Sequence, residues 1–248
     1  MPFEFLAPDS AVAFAGSTPP RRSQIESEHI DQGANLAKRA GWNVVADYGD
    51  PDRERSACVT SVGVADLSCL GKIEFQADPA TTASIVSSVA GGAALELGSA
   101  KHHEGTWWCP VTAGRVLAVT QPEDTSRVLS AVEEAAAGAG FAAVTELTAA
   151  LGSNAIVGPL AREAFARATA LDMRPEHFPG AAFAPVSVAR TPGMVLNEGG
   201  EGGDRYLHLF GAGYAQYNWT VFEDAARGLG GRGVGLAALG LLQGAARA

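Results

Sequence analysis

Apolar residues recur in two rhythms along this chain. From Ser23 to Lys38, Ile25, His29, Ile30 and Leu36 fall near helical spacing. Ser23 is a good N-cap and Glu26 stands three residues on, so the pattern predicts a helix that Gly41 stops. Trp42 to Tyr48 reads as a strand and Gly49-Asp50-Pro51 as a turn. Glu54 to Ser61 predicts a short helix, and 63–67 and 71–76 predict strand pieces around a tight connection. Pro79 opens a helix as its first residue and Gly91-Gly92 ends it. Thr106 to Cys109 and Arg115 to Thr120 predict paired strands. A helix over 125–137 and a strand over 141–145 follow. The second half repeats the scheme with strands at 155–157, 186–190, 193–197 and 206–210. Its helices are expected at 160–170, at 215–227 with Tyr217, Val221 and Phe222 inward, and at 234–244. Residues 1–22 read as an extended arm, because Pro19-Pro20 excludes a helix.

The order strand, helix, strand, strand, helix occurs twice, with a break near Gly138-Ala139-Gly140. That order predicts an α+β protein with mixed or antiparallel sheets, not a doubly wound sheet. Its two split βαβ, ferredoxin-like lobes are expected over residues 23–138 and 139–248. The glycine-rich stretch Asn197 to Asp204 precedes a strand and carries three acids, so it reads as a hairpin tip and not a phosphate loop.

Composition narrows the function. With 47% hydrophobic and 18% charged residues the chain has the make-up of a soluble globular protein. A formal net charge of -9 argues against nucleic acid or an anionic membrane as partner. The first 17 residues lack a basic region, so no signal peptide is expected, and the most apolar run, Val234 to Leu242, is too short to span a bilayer. Three cysteines without a CxxC pair predict neither a disulfide framework nor a zinc site, and they point to a reducing cytoplasm. His102-His103 lack a third ligand at metal-binding spacing, and no metal is expected.

Several stretches together resemble the folate-binding domain of the glycine-cleavage T-protein (aminomethyltransferase) family. They are Ser23-Gln24-Ile25, His29, Gly33-Ala34, Gly41-Trp42, Tyr48 and Glu54, then Gly63 to Ile73 with Asp66-Leu67-Ser68 at its centre. Gly158-Pro159-Leu160-Ala161-Arg162 and Val234-Gly235-Leu236-Ala237-Ala238 continue the resemblance nearly to the end. The length, the end of the chain at Ala248 and the Thr106 to Pro110 segment are similar to the gamma subunit of heterotetrameric sarcosine oxidase, without the family's C-terminal barrel. The resemblance implies tetrahydrofolate as cofactor and one-carbon (methyl, methylene or aminomethyl) transfer to a small-molecule substrate. Through the sarcosine oxidases it also implies a partner subunit; a homo-oligomer is the alternative.

The same resemblance exposes departures. The family's Asp-Asp pair, whose carboxylate serves the folate and the substrate amine, falls on Trp108 and Cys109. Neither does that acid-base work. The family's asparagine falls on Gln121, and its acidic folate strand on Gly203 to Leu207, where only Asp204 and Tyr206 keep its character. The residues expected at a ligand are therefore Trp108, Tyr206, Gln121 and Asp66, with Asp204 and His208 as the acid-base pair. Two have a plainer reading, Trp108 as core or interface and Asp66 as a local hydrogen-bond acceptor, while His208 shares a strand face with Tyr206 and on that ground could line a pocket. Three functions follow: a transferase-like protein with a degenerate acid set, a non-catalytic gamma-type subunit, or a pocket turned to a folate-independent reaction.

Overall fold

The computed structural model describes residues 20–92, 94–200 and 204–241. The expected arm therefore lies outside the described residues through position 19, as do positions 201–203 of the hairpin tip. Helix α1 (Glu26–Asp31) leads into a hairpin of β1 (Asn35–Arg39) and β2 (Trp42–Asp47). Then come α2 (Pro51–Thr60), β3 (Gly63–Asp66), β4 (Gly71–Ala77) and α3 (Pro79–Val89). β5 (Lys101–His103), β6 (Thr106–Thr112), β7 (Arg115–Thr120), α4 (Thr125–Ala136) and β8 (Ala142–Glu146) complete the first half. The second half runs β9 (Leu151–Gly158), α5 (Ala161–Ala166), β10 (Phe183–Val188), β11 (Thr191–Asn197), β12 (Asp204–Gly211), α6 (Ala215–Arg227) and β13 (Arg232–Gly233).

Two larger sheets carry the molecule. One has the order β5-β6-β7-β4-β8, the other β10-β11-β12-β9-β3-β13. Both contain the split βαβ order expected from sequence, and nearly all pairs are antiparallel. The sheets do not separate at Gly138 to Gly140, however. β3 leaves the first half to pair with β9, and β8 returns from beyond the break to pair with β4.

Strand alternation sorts the side chains into three cores. Ile73, Phe75, Val116 and Ala118 face α3 and α4 through Ile85, Val86, Val128 and Val132. Val64, Ile156, Val195 and Phe210 face α5 and α6 through Phe165, Trp219 and Phe222. Between the sheets lie Ala65, Leu67, Leu117, Val119, Leu207 and Leu209. Residues i and i+2 share a face in every strand, so each strand feeds two cores.

Caps explain the helices that were read correctly. Asp78 accepts from Ala80 N and Thr81 N at 3.0 and 3.1 Å, with Pro79 at the first position. Asp50 does the same for α2, accepting from Arg53 N at 3.0 Å, which starts that helix at Pro51 and not at Glu54.

Two expected helices are corrected. The first ends at Asp31, a turn follows at 32–34, and the rest of its span lies in strand β1. Ala40 and Gly41 both have positive φ, 45° and 80°, which is the two-residue turn that closes a hairpin. The last expected helix is absent over 234–241; its remaining residues lie outside the described ones. Val234 N donates to Val64 O at 2.8 Å, Leu236 N to Val45 O at 2.9 Å and Ala237 N to Ala46 O at 3.0 Å. These amides go to β3 and β2, so none is left for a helical ladder. Gly235 permits the approach, because a Cβ there would sit 2.2 Å from Ala46 O. Tyr217 is also corrected: it is 50% exposed, and Trp219 is the buried aromatic of α6.

Glu54 holds that C-terminal strap. Its carboxylate is fully buried and accepts from Tyr48 N at 2.6 Å and Gly235 N at 2.8 Å. Replacing it by Ala strands both amides away from water. The Glu54→Ala variant is expected to lose about 3 kcal/mol of stability in urea denaturation, and Glu54→Gln less.

Candidate functional site

The connection from β3 to β4 crosses from one sheet to the other, and two charges are buried at its ends. Asp66 Oδ1 accepts from Ser68 N at 2.8 Å. Its Oδ2 accepts from His29 Nε2 at 3.1 Å and from the Ser23 hydroxyl. With Nε2 donating, His29 Nδ1 is the acceptor for Tyr48 OH at 2.8 Å. Burial pushes the Asp66 carboxyl up, but the hydrogen bonds from His29, Ser23 and Ser68 outweigh it and hold it below the usual range. Burial and the Asp66 charge push Tyr48 far up. The chain Asp66-His29-Tyr48 is thus a closed relay, its ring edge-on to Trp219 at 4.6 Å. The adjoining cleft between Ser23, His29, Trp42 and Cys69 offers about 10 Å³, scarcely the room of one water.

At the other end Lys72 is fully buried, and its Nζ donates to Ser68 O at 2.8 Å. Burial pulls its pKa down to about 8. Burial also pushes Cys69 and Cys58 up to about 11 and Cys109 higher still. None of these thiols is a nucleophile near neutral pH.

Register extends the polar line from Asp66. It pairs with Asn154 of β9, and Asn154 pairs with His208 of β12. All three face α6, on the side of Val64, Ile156 and Phe210. Asn154 and His208 are fully buried, and neither side chain has a hydrogen-bond partner among the described residues. Phe165, Phe210 and Phe222 surround the imidazole with ring centroids 6.0, 4.8 and 5.5 Å away. Burial pulls the His208 pKa down to about 3.

The six residues singled out in the sequence do not converge. Asp204 and His208 share a strand face but are four residues apart, about 13 Å along it. His208 is sealed under α6, so the structure does not join them as an acid-base pair. Trp108 points into the helix-covered core of the five-stranded sheet, 3% exposed, with Nε1 unpartnered. It is Trp107 that packs at the core between the sheets. Gln121 Oε1 accepts from Arg39 Nη2 at 2.8 Å at the end of β7. His102 and His103 lie on β5, where His102 packs on Trp107. Among the described residues no group of His, Cys, Asp or Glu is arranged to hold a metal.

Asp204 and Tyr206 are brought together, by a residue from another element. Arg162, at the start of α5, donates to Asp204 Oδ1 at 2.7 Å and to Tyr206 OH at 3.1 Å. Two surface grooves of about 420 and 550 Å³ meet at this pair, one running past Pro179 and Asn197, the other past Leu171 and Arg174. These are the described cavities wide enough for a small ligand that also present a charged pair. Arg162 was visible in the sequence only as the end of the Gly158 to Arg162 step; nothing local ties it to Asp204.

Comparison with known proteins follows this geometry. The family model for the GCVT N-terminal domain matches residues 25–244. Aminomethyltransferase T of the glycine cleavage system from Bartonella henselae is 18% identical with a TM-score of 0.71. That match covers 88% of this chain and 60% of that one, so the chain spans about 60% of the length of this relative. A chain of heterotetrameric sarcosine oxidase from Corynebacterium sp. U-96, in complex with pyrrole 2-carboxylate, is 17% identical with a TM-score of 0.62, over 73% of this chain and 93% of that one. At these identities the likeness is one of fold. No curated protein matches the sequence. No helix among the described residues is long and apolar enough to cross a membrane.

Two buried bases shape the pH response alongside Asp66. His208 has its folded pKa depressed to about 3 from 6.5, so its contribution is fully present above pH 6.5 and lost as pH falls toward 3. His208→Leu is expected to flatten the acid limb of a urea-midpoint profile across that window. Lys72 has its folded pKa depressed to about 8 from 10.5, so the unfolded chain binds the extra proton between these values and stability rises there with pH. Lys72→Met is expected to raise the urea midpoint at pH 7 and to lack that rise.

Proposed function

The chain belongs to the GCVT N-terminal domain family, and from that premise we propose that it is a folate-domain subunit with no aminomethyl-transfer chemistry of its own. One observation carries this reading. Trp108 and Cys109, which the sequence resemblance sets against the family's carboxylates, are 3% and 0% exposed in two different cores. Transfer of a one-carbon unit needs a carboxylate that orients an amine and takes or gives its proton beside a developing iminium. An indole and a buried thiol do neither.

The residues expected to hold tetrahydrofolate do not fit it either. The cleft at Asp66 has room for a water and not for a pterin. Trp108 lies behind its sheet, and the Gln121 amide oxygen is occupied by Arg39. The likeness in fold to a chain of a heterotetrameric enzyme supports a subunit role. The free thiols of Cys58, Cys69 and Cys109 suit a reducing compartment such as the cytoplasm.

A second reading rests on Arg162. Its pair with Asp204, between two grooves, is the place for a small-molecule ligand in a pocket turned to another use. Calorimetric titration with tetrahydrofolate and, separately, with small carboxylates separates the readings. No saturable heat from either up to high micromolar ligand, with co-purification of a second polypeptide from the native host, is the expected result. Saturable heat from a small carboxylate and not from tetrahydrofolate, abolished by Arg162→Ala, would favour the pocket. One-carbon transfer by the isolated chain would overturn both.

A further inference from the structure

The two larger sheets have four edges, and three of them are blunted. β5 has three residues and β13 two. β10 carries Pro185 and is bridged at Val188 by Thr169. β8 has none of these devices: five residues, Ala142-Ala143-Val144-Thr145-Glu146, with no proline, no lysine and no irregularity in its register with β4, and a single charge, Glu146, at its end 3.8 Å from Arg21. Its inner side is fixed by Leu147 N donating to Lys72 O at 2.7 Å. Alternation then turns Ala143 and Thr145 inward and aims the N–H and C=O groups of Ala142, Val144 and Glu146 outward. Among the described residues nothing pairs with those outward groups. Phe141, next to the strand, is 77% exposed.

We propose that β8 is a dimer edge, which pairs antiparallel with β8 of a second copy of this chain about a two-fold axis at Val144. The sequence of the strand is complementary to itself in that arrangement. Val144 meets Val144, and Ala142 meets Glu146, so no like charges stand opposite each other. Each outward residue then falls in a hydrogen-bonded pair, giving about six backbone bonds across the axis. Phe141 comes opposite Leu147 of the second copy, on the face away from α4, and is covered by it. The contact is isologous and closes on itself, so it ends at a dimer and joins the two five-stranded sheets into one. The net charge of -9 on each copy opposes the association, so added salt tightens it. The inference is independent of the catalytic reading, since it uses no residue of the ligand grooves.

Sedimentation of the full chain over a concentration series tests it. A monomer–dimer equilibrium is expected, with the dimer favoured as salt rises. Val144→Pro and, separately, Ala142→Pro remove an outward N–H and leave the inward bonds to β4 in place, a change that edge strands tolerate. Each should raise the dimer dissociation constant at least tenfold while circular dichroism and thermal midpoint stay near those of the parent. A chain that stays monomeric at every concentration overturns the proposal. So does a dimer that both proline variants leave intact, because its interface then lies elsewhere. A chain that dimerises only after residues 1–19 are removed assigns the edge to that segment and also overturns it.

Discussion

A carboxylate without water must be surrounded by donors, and Asp66 draws its donors from three separate stretches of chain. Ser23 comes from ahead of α1, His29 from within it, and the Ser68 amide from the connection that leaves β3. His29 in turn fixes Tyr48 at the end of β2. Removing one donor leaves an ion in a dry site, which costs more than the bond itself is worth. The placement of α1, of the β1–β2 hairpin and of the crossing between the sheets therefore depends on one side chain. Glu54 repeats the device a few residues earlier, with backbone amides as the donors.

The same geometry explains why the most recognisable motif marks the scaffold and not a reaction centre. From Asp66 to Lys72 every polar side chain with a defined partner is used internally. Ser68 serves the backbone of Ser153, and Lys72 folds back on the Ser68 carbonyl. Gly71 is needed because a Cβ there would lie 2.3 Å from Thr125 Oγ1, where β4 meets the start of α4. The side chains of the motif are thus taken up by the fold itself.

What could be read from sequence was what local signals decide. The capped helix α3 follows from proline and aspartate, α6 from its helical spacing of apolar residues, and the antiparallel strands β6 and β7 from alternation. The lost helix after Asp31 was decided by two positive φ angles at Ala40 and Gly41, which helical spacing does not register. The apolar run from Val234 looked like a helix because its partners, Val45, Ala46 and Val64, lie far back in the chain. The candidate site shows the same limit. Asp204 and Tyr206 were legible as a strand pair, but the arginine that joins them comes from α5. His208 shares their strand face, yet its surroundings are set by Phe165 and Phe222 on two helices.

The exchange of strands between the two sheets has a consequence for how the molecule comes to be made. On the ribosome β3 emerges early, with Val62, Val64 and Ala65 ready for burial, and finds no neighbour until β9 has been synthesised. The first sheet likewise waits for β8 before its β4 edge is closed. The five-stranded sheet needs nothing beyond residue 146 and can close once β8 is out of the tunnel, whereas the six-stranded sheet must wait for strands synthesised much later. In the interval β3 is an apolar strand without its neighbours, open to chaperones.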